Sequence, residues 1–217
     1  MTICPFETFP ALARLPVVHA FTGRVSGLDV KTDRATALDR LDEYHLGVRT
    51  RLGLGQHYYR TAQQVHGTGV AVVDAQSTGR TPDVDALVTA DPNVCLGIYV
   101  ADCGPVFIVD PIRKVIGGAH SGRKGTELGI VGATVATMAR EFGSNPSDLV
   151  VQLGPCIRPP HYEINFAAEI VRQAESAGVK SVHDCQTCTG ANIDRYYSYR
   201  VEKGQTGRMV AYLALTQ

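Results

Sequence analysis

Three apolar runs in close succession constrain this chain more than any other feature: VCLGIYV at 94–100, PVFIVD at 105–110 and KVIGGAH at 114–120. Their β-branched and aromatic content reads as strands, with a turn at Asp110-Pro111 before the third. The strongest helical pattern follows at once. In ELGIVGATVATMAREF, 127–142, Leu128, Val131, Val135, Met138 and Phe142 recur at spacings of three and four. Thr126 is placed to cap that helix and Gly143 to stop it.

Weaker signals fill in the rest. Ala37, Leu38, Leu41 and Tyr44 predict a surface helix over 31–46, and TGVAVVD (68–74) and DVDALVT (83–89) predict strands. DLVVQLG (148–154) reads as another strand, a helix runs from an Asn165 cap to Gly178, and RMVAYLAL closes the chain as a strand. This irregular mixture predicts an α/β or α+β domain of layered mixed sheets flanked by helices, spanning 1–217.

Lys+Arg and Asp+Glu both total 21, which argues against a nucleic-acid binder because such proteins need a basic footprint. No apolar run reaches bilayer length. The N-terminal stretch lacks a basic region and is broken by prolines, so it does not read as a signal peptide. The expected location is cytoplasmic, and the six scattered cysteines are expected as thiols or metal ligands rather than disulfides.

Three metal-ligand types sit at the ends of apolar segments. His66 lies in TAQQVHG, Cys103 follows the run 94–100, and His120 ends the run 114–119. Two histidines and a cysteine can hold a catalytic zinc whose fourth position is left to water, and such a water loses its proton near neutral pH. Their spacing matches no local zinc signature, so each residue can equally be a core or surface side chain. The pair in DCQTC, Cys185 and Cys188, lacks a second pair and reads as plain thiols. In GGAHSGRKGT (117–126), Arg123 and Lys124 add charge at a helix start that favours an anion. Asp102 and Asp85 lie near the three ligand types as proton carriers or as groups that orient a ligand, Asp102 more in the latter role.

TAQQVHG, DVDALVT, VADCGPVFIVD, GGAHSGRKGT, LGPCIRPPHYEI and YYSYRVEKGQTGRM, in that order, resemble the multicopper-polyphenol-oxidase-type laccase-domain family. That family is also called purine nucleoside phosphorylase-like or peptidoglycan-editing-factor-like. The resemblance runs from His19 to Met209. It implies one zinc held at the positions of His66, Cys103 and His120, which would also carry the catalysis. It implies a layered α/β fold similar to Cys-His hydrolases and deamidating toxins. The implied activity is phosphorolysis of adenosine, inosine, guanosine or methylthioadenosine, together with adenosine deamination. Purine nucleoside and phosphate would be the partners, met by Arg24, Gln64, Arg123 and Lys124, in a monomer or small homo-oligomer.

The chain departs from the family pattern in places. His120-Ser121-Gly122-Arg123-Lys124-Gly125 stands for H-A-G-W-R-G, so the Trp is lost and Lys replaces Arg, without the bidentate fork that Arg offers phosphate. The stretch after Arg24 is shortened to VSGLDV, and an expected Asn-Arg pair appears as Asp33-Arg34. Copper suits a single His2Cys site, but seven histidines and no H-x-H pair argue against a multicopper oxidase. Two other readings stay open: an amide hydrolase or peptidoglycan-editing enzyme with Cys103 as nucleophile, and a metal- or nucleoside-binding protein without turnover.

Overall fold

The computed structural model describes residues 3–216. In chain order the elements are β1 (Phe6–Glu7), β2 (Val17–Thr22), α1 (Arg34–Arg51), β3 (Tyr58–Ala62), β4 (Val70–Val72), β5 (Arg80–Thr81) and β6 (Ala86–Thr89). Then come β7 (Val94–Val100), β8 (Gly104–Asp110), β9 (Val115–Ser121), α2 (Arg123–Leu128) and α3 (Ile130–Phe142). The last are β10 (Val150–Leu153), α4 (Phe166–Ser176), β11 (Ser181–Asp184) and β12 (Met209–Leu215). They make two mixed six-stranded sheets, ordered β1-β2-β12-β7-β3-β5 and β11-β10-β8-β9-β6-β4.

The three apolar runs are strands, as expected, but they do not share one sheet. β7 pairs with β12 and β3 in the first sheet, while β8 and β9 form an antiparallel hairpin in the second. The chain therefore crosses between sheets at 101–103, and it also crosses from β3 to β4 and from β5 to β6. These crossings place His66, Asp85 and Cys103 along one seam. Phe107, Val109 and Ile116 of the second sheet join Leu96, Ile98 and Leu213 of the first in one buried cluster. The near-continuous burial of β8 and β9 explains why their sequence shows no alternation.

Asp33 caps α1 by accepting from the Ala35 and Thr36 amides, so the helix starts three residues later than its periodicity suggested and runs past 46 to Arg51. It buries Ala37, Leu41, His45 and Val48. The strong helix of 127–142 is in fact two. Gly129 takes φ 92°, left-handed backbone that glycine adopts without strain, and separates α2 from α3. Leu128 consequently leaves the apolar stripe and stands 57% exposed. Thr126 is no cap but a buried residue inside α2, and Gly122 holds the cap position. Gly143 does end α3, and Asn165 does cap α4. α3 and α4 bury Ile130, Val135, Met138 and Ile170 with Ile108 and Val151 on the other face of the second sheet. No helix among the described residues is long and apolar enough to cross a membrane.

Candidate metal centre

His66, Cys103 and His120 converge where the two sheets meet. One ligand atom from each lies within 4.8 Å of the others, the one such group of three among the described residues. The Cys103 Sγ is 4.0 Å from His66 Nε2, and the two imidazole rings stand edge to face with centroids 4.7 Å apart. A tetrahedral ion with bonds of about 2.0–2.3 Å spaces its ligands by roughly 3.5 Å. The three side chains therefore fit a metal ion with little movement.

Local backbone explains how they are presented. Gln64 (φ 63°), His66 (φ 63°) and Asp102 (φ 84°) all occupy left-handed backbone without being glycine. Each such residue costs about 1–3 kcal/mol and persists only where its surroundings hold it. Here the surroundings are two carboxylates. Asp85, fully buried, accepts from the Val65, His66 and Gly67 amides and from His120 Nδ1 at 2.8 Å. Asp102 accepts from Thr189 Oγ1, Ser198 Oγ and the Arg200 amide. Both acids thus shape the segments that carry the ligands.

Gly122 answers to the same crowding. A Cβ there would lie 2.6 Å from Cys103 Sγ and 3.3 Å from His66 Cδ2, so any side chain would enter the cluster. Beyond it, Thr126 Oγ1 donates to the Gly122 carbonyl at 2.7 Å and receives Ser121 Oγ at 2.8 Å. These bonds lock the turn between β9 and α2.

The electrostatics favour a thiolate beside an imidazolium in the metal-free cluster. Burial by itself raises the Cys103 thiol, but the His120 charge, assisted by His66, brings it down to about 6. Burial opposes charge on His120, yet Cys103 and then Asp85 raise it to about 9. For Asp85, burial raises the carboxyl, and the His120 hydrogen bond and the amides outweigh it and leave it lowered. Anionic sulfur is the form a metal ligand needs, and His120 would bind by giving up its Nε2 proton while Asp85 holds the proton on Nδ1.

The cluster lies in a cavity of about 620 Å³. Arg34, Arg123, Arg200, Lys203 and Arg208 line it, whereas Asp102 is its one carboxylate among the described residues. Tyr162, Phe166 and Tyr199 provide aromatic surface.

Of the residues expected to meet substrate, Arg24 and Lys124 lie outside this cavity, and Gln64 and Arg123 border it. Arg24 is paired with Glu202 at 2.7 Å, donates to the Tyr196 carbonyl and lies over the Tyr197 ring, away from this cavity. Lys124 is exposed and outside the lining. Gln64 borders the cavity, but its amide clamps the Tyr99 backbone, donating to the carbonyl at 2.5 Å and accepting the amide at 2.9 Å. Arg123 does line the cavity and pairs with Glu127 at 2.9 Å. Arg34, Arg200 and Arg208 were missed as site residues. Their signals were the Asp33-Arg34 pair and the cation-rich YYSYRVEKGQTGRM. Cys185 and Cys188 are free thiols, and Cys188 is bridged through its backbone to Cys156.

Residues 22–174 and 164–216 match the family described as multi-copper polyphenol oxidoreductase laccase. The chain belongs to that family. A Streptomyces coelicolor protein named purine nucleoside phosphorylase is 35% identical over 179 residues, covering 70% of this chain and 73% of that protein. A purine nucleoside phosphorylase of Deinococcus radiodurans is 34% identical over 234 residues, covering 93% and 90%. Among solved structures, YlmD from Geobacillus stearothermophilus superposes with a TM-score of 0.82 at 24% identity and covers 100% of both chains. A hypothetical protein YfiH from Bacillus licheniformis gives 0.83 at 23%, covering 98% and 99%. At those identities the likeness concerns the fold.

Proposed function

We propose that this chain is a zinc-dependent purine nucleoside phosphorylase whose metal is held by His66, Cys103 and His120. The observation that carries the reading is a cavity that joins this cluster to five cationic side chains and four aromatic ones, Tyr99 among them. The names of the similar Streptomyces and Deinococcus proteins support the substrate class.

The donor set suits zinc, which takes imidazole and thiolate with an open position. Blue copper asks in addition for a weak axial ligand such as Met, and no Met among the described residues lines the cavity. When bound, the metal supplies Lewis-acid polarisation at the cavity floor. The protein's own groups do the rest. Asp85 keeps His120 in the tautomer whose Nε2 faces inward. Tyr162 and Phe166, edge to face at 5.8 Å, and Tyr199 offer faces against which a purine stacks. The cations attract phosphate and stabilise negative charge on it. Asp102 is held by three donors and positions Cys103 rather than carrying protons.

The test incubates zinc-loaded protein with adenosine, with and without phosphate, and separates the products by chromatography, with Cys103→Ala beside it. Adenine formed only with phosphate supports phosphorolysis. Inosine in both conditions assigns deamination to the same cluster instead. Absence of both products from protein that keeps its zinc rejects the nucleoside reading. A second reading, an amide hydrolase, draws on the Cys103, His120 and Asp85 sequence of contacts, which resembles a nucleophile-base-orienter set. It requires Cys103 to react while metal is present.

A further inference from the structure

The five cations of the cavity are not equivalent. Arg123 is neutralised by Glu127, and Arg200 by Glu163. Arg34, Lys203 and Arg208 form no ion pair among the described residues. Lys203 is exposed and its ammonium can stay hydrated. Arg34 and Arg208 differ from it.

Arg208 is 9% exposed at the start of β12. It spends Nη1 on the Thr206 and Gly207 carbonyls, at 2.8 and 2.9 Å. Its Nε and Nη2 make no hydrogen bond among the described residues. Arg34 is the first residue of α1, directly after the Asp33 cap. A cation there opposes the helix dipole, which favours acids in the first turn, and that turn holds none. The two guanidiniums share the cavity wall. Burial first, then a positive neighbour (Arg80 for Arg34, Arg34 for Arg208), disfavours the charged form of each, against smaller pulls from Tyr99 on Arg34 and from Cys103, Tyr199 and Asp102 on Arg208. Buried charges are ordinarily paired. Two half-desolvated forks with no carboxylate in ion-pair contact have the chemistry of a site awaiting a polyvalent anion, and guanidinium matches phosphate oxygens bidentately.

We propose that Arg34 and Arg208 form a subsite for a tetrahedral phosphate dianion, free or esterified on a nucleoside. This deepens the phosphorolysis reading and relocates its anion from Arg24 and Lys124, yet it concerns binding and holds whether or not turnover occurs.

Isothermal titration of the metal-free and zinc-loaded protein with inorganic phosphate, and separately with adenosine 5′-monophosphate, tests it. Arg34→Gln should weaken the phosphate ligand at least ten-fold, and Arg34→Lys should recover part of that loss. Arg208→Lys, which keeps the buried charge but not the fork, should also weaken it. Arg40→Gln, on the exposed face of the same helix, should leave binding unchanged. Loss confined to inorganic phosphate identifies the free anion, and loss confined to the nucleotide identifies the ester. Equal binding by wild type and Arg34→Gln, or no binding of either ligand by wild type, overturns the proposal. Phosphate binding that depends on Arg34 without nucleoside cleavage would instead reject the phosphorylase reading and leave the subsite standing.

Discussion

Asp85 Oδ1 sits 2.8 Å from His120 Nδ1 while the same carboxylate receives the amides of Val65, His66 and Gly67. One buried acid therefore orients the ring of one candidate ligand and the backbone of another. These residues come from the end of β9 and from two chain crossings between the sheets. The cluster is a property of how the sheets are joined.

Asp85→Asn should accordingly weaken zinc more than any comparable change outside the three ligands. An amide can accept from Nδ1–H, but its NH2 then confronts backbone donors. Partners that orient a ligand this way are worth about 10- to 100-fold in metal affinity. Competition with a chromophoric chelator measures it, and affinity within two-fold of wild type would remove Asp85 from this role.

Gly122→Ala separates crowding from backbone strain. Gly122 has φ −85° and ψ 177°, which alanine adopts freely. The added methyl would nevertheless lie 2.6 Å from Cys103 Sγ. Metal-free stability should fall modestly while zinc affinity drops at least ten-fold. Thermal melts with and without zinc give both numbers, and an unchanged zinc-induced rise in Tm would contradict the geometry.

Cys103 should be the fast-reacting thiol of the metal-free protein. Cys95 and Cys156 are buried, and burial raises both. Cys103, lowered to about 6, is thiolate at neutral pH. Its alkylation rate by iodoacetamide should rise with pH through about 6 and level off above it. Zinc should suppress the reaction. Equal labelling with and without zinc would favour Cys103 as a covalent nucleophile in an amide hydrolase.

The His66-Cys103-His120 cluster was legible in part because each residue lies at the edge of an apolar segment, and chiefly through the family resemblance of the motifs that carry the three. The cationic wall was not legible in the same way. Arg34 opens a helix and Arg208 precedes the last strand, so only tertiary folding brings them together. Arg24 looked equivalent by sequence, but Glu202, far along the chain, claims it. Gln64 borders the cavity as a polar side chain beside His66 suggests, and its clamp on the Tyr99 backbone is a contact that only the fold reveals. The break at Gly129 was hidden by an apolar stripe that continues in register across it. Only the exposure of Leu128 reveals that the stripe begins at Ile130.

His45 gives the stability curve a feature unrelated to the metal. It is 3% exposed on α1, its ring packs against Tyr99 with centroids 5.9 Å apart, and its Nε2 has no partner among the described residues. Burial lowers it from 6.5 to about 4, against a weaker pull from a backbone hydrogen bond at Arg208. The folded state thus disfavours the proton that the unfolded chain accepts below 6.5. The sign follows: the full contribution is present above pH 6.5 and is lost as pH falls toward 4. The displacement corresponds to about 3 kcal/mol at most. His45→Phe keeps the ring against Tyr99 and leaves the His45 carbonyl to accept from Tyr212, but removes the titration. Urea unfolding from pH 7 to 4 should show wild type losing more stability than the variant by about that amount, even if the variant starts lower at pH 7. Parallel curves for the two proteins would mean that the ring is hydrated or paired in solution and that the buried, unpartnered Nε2 does not persist there.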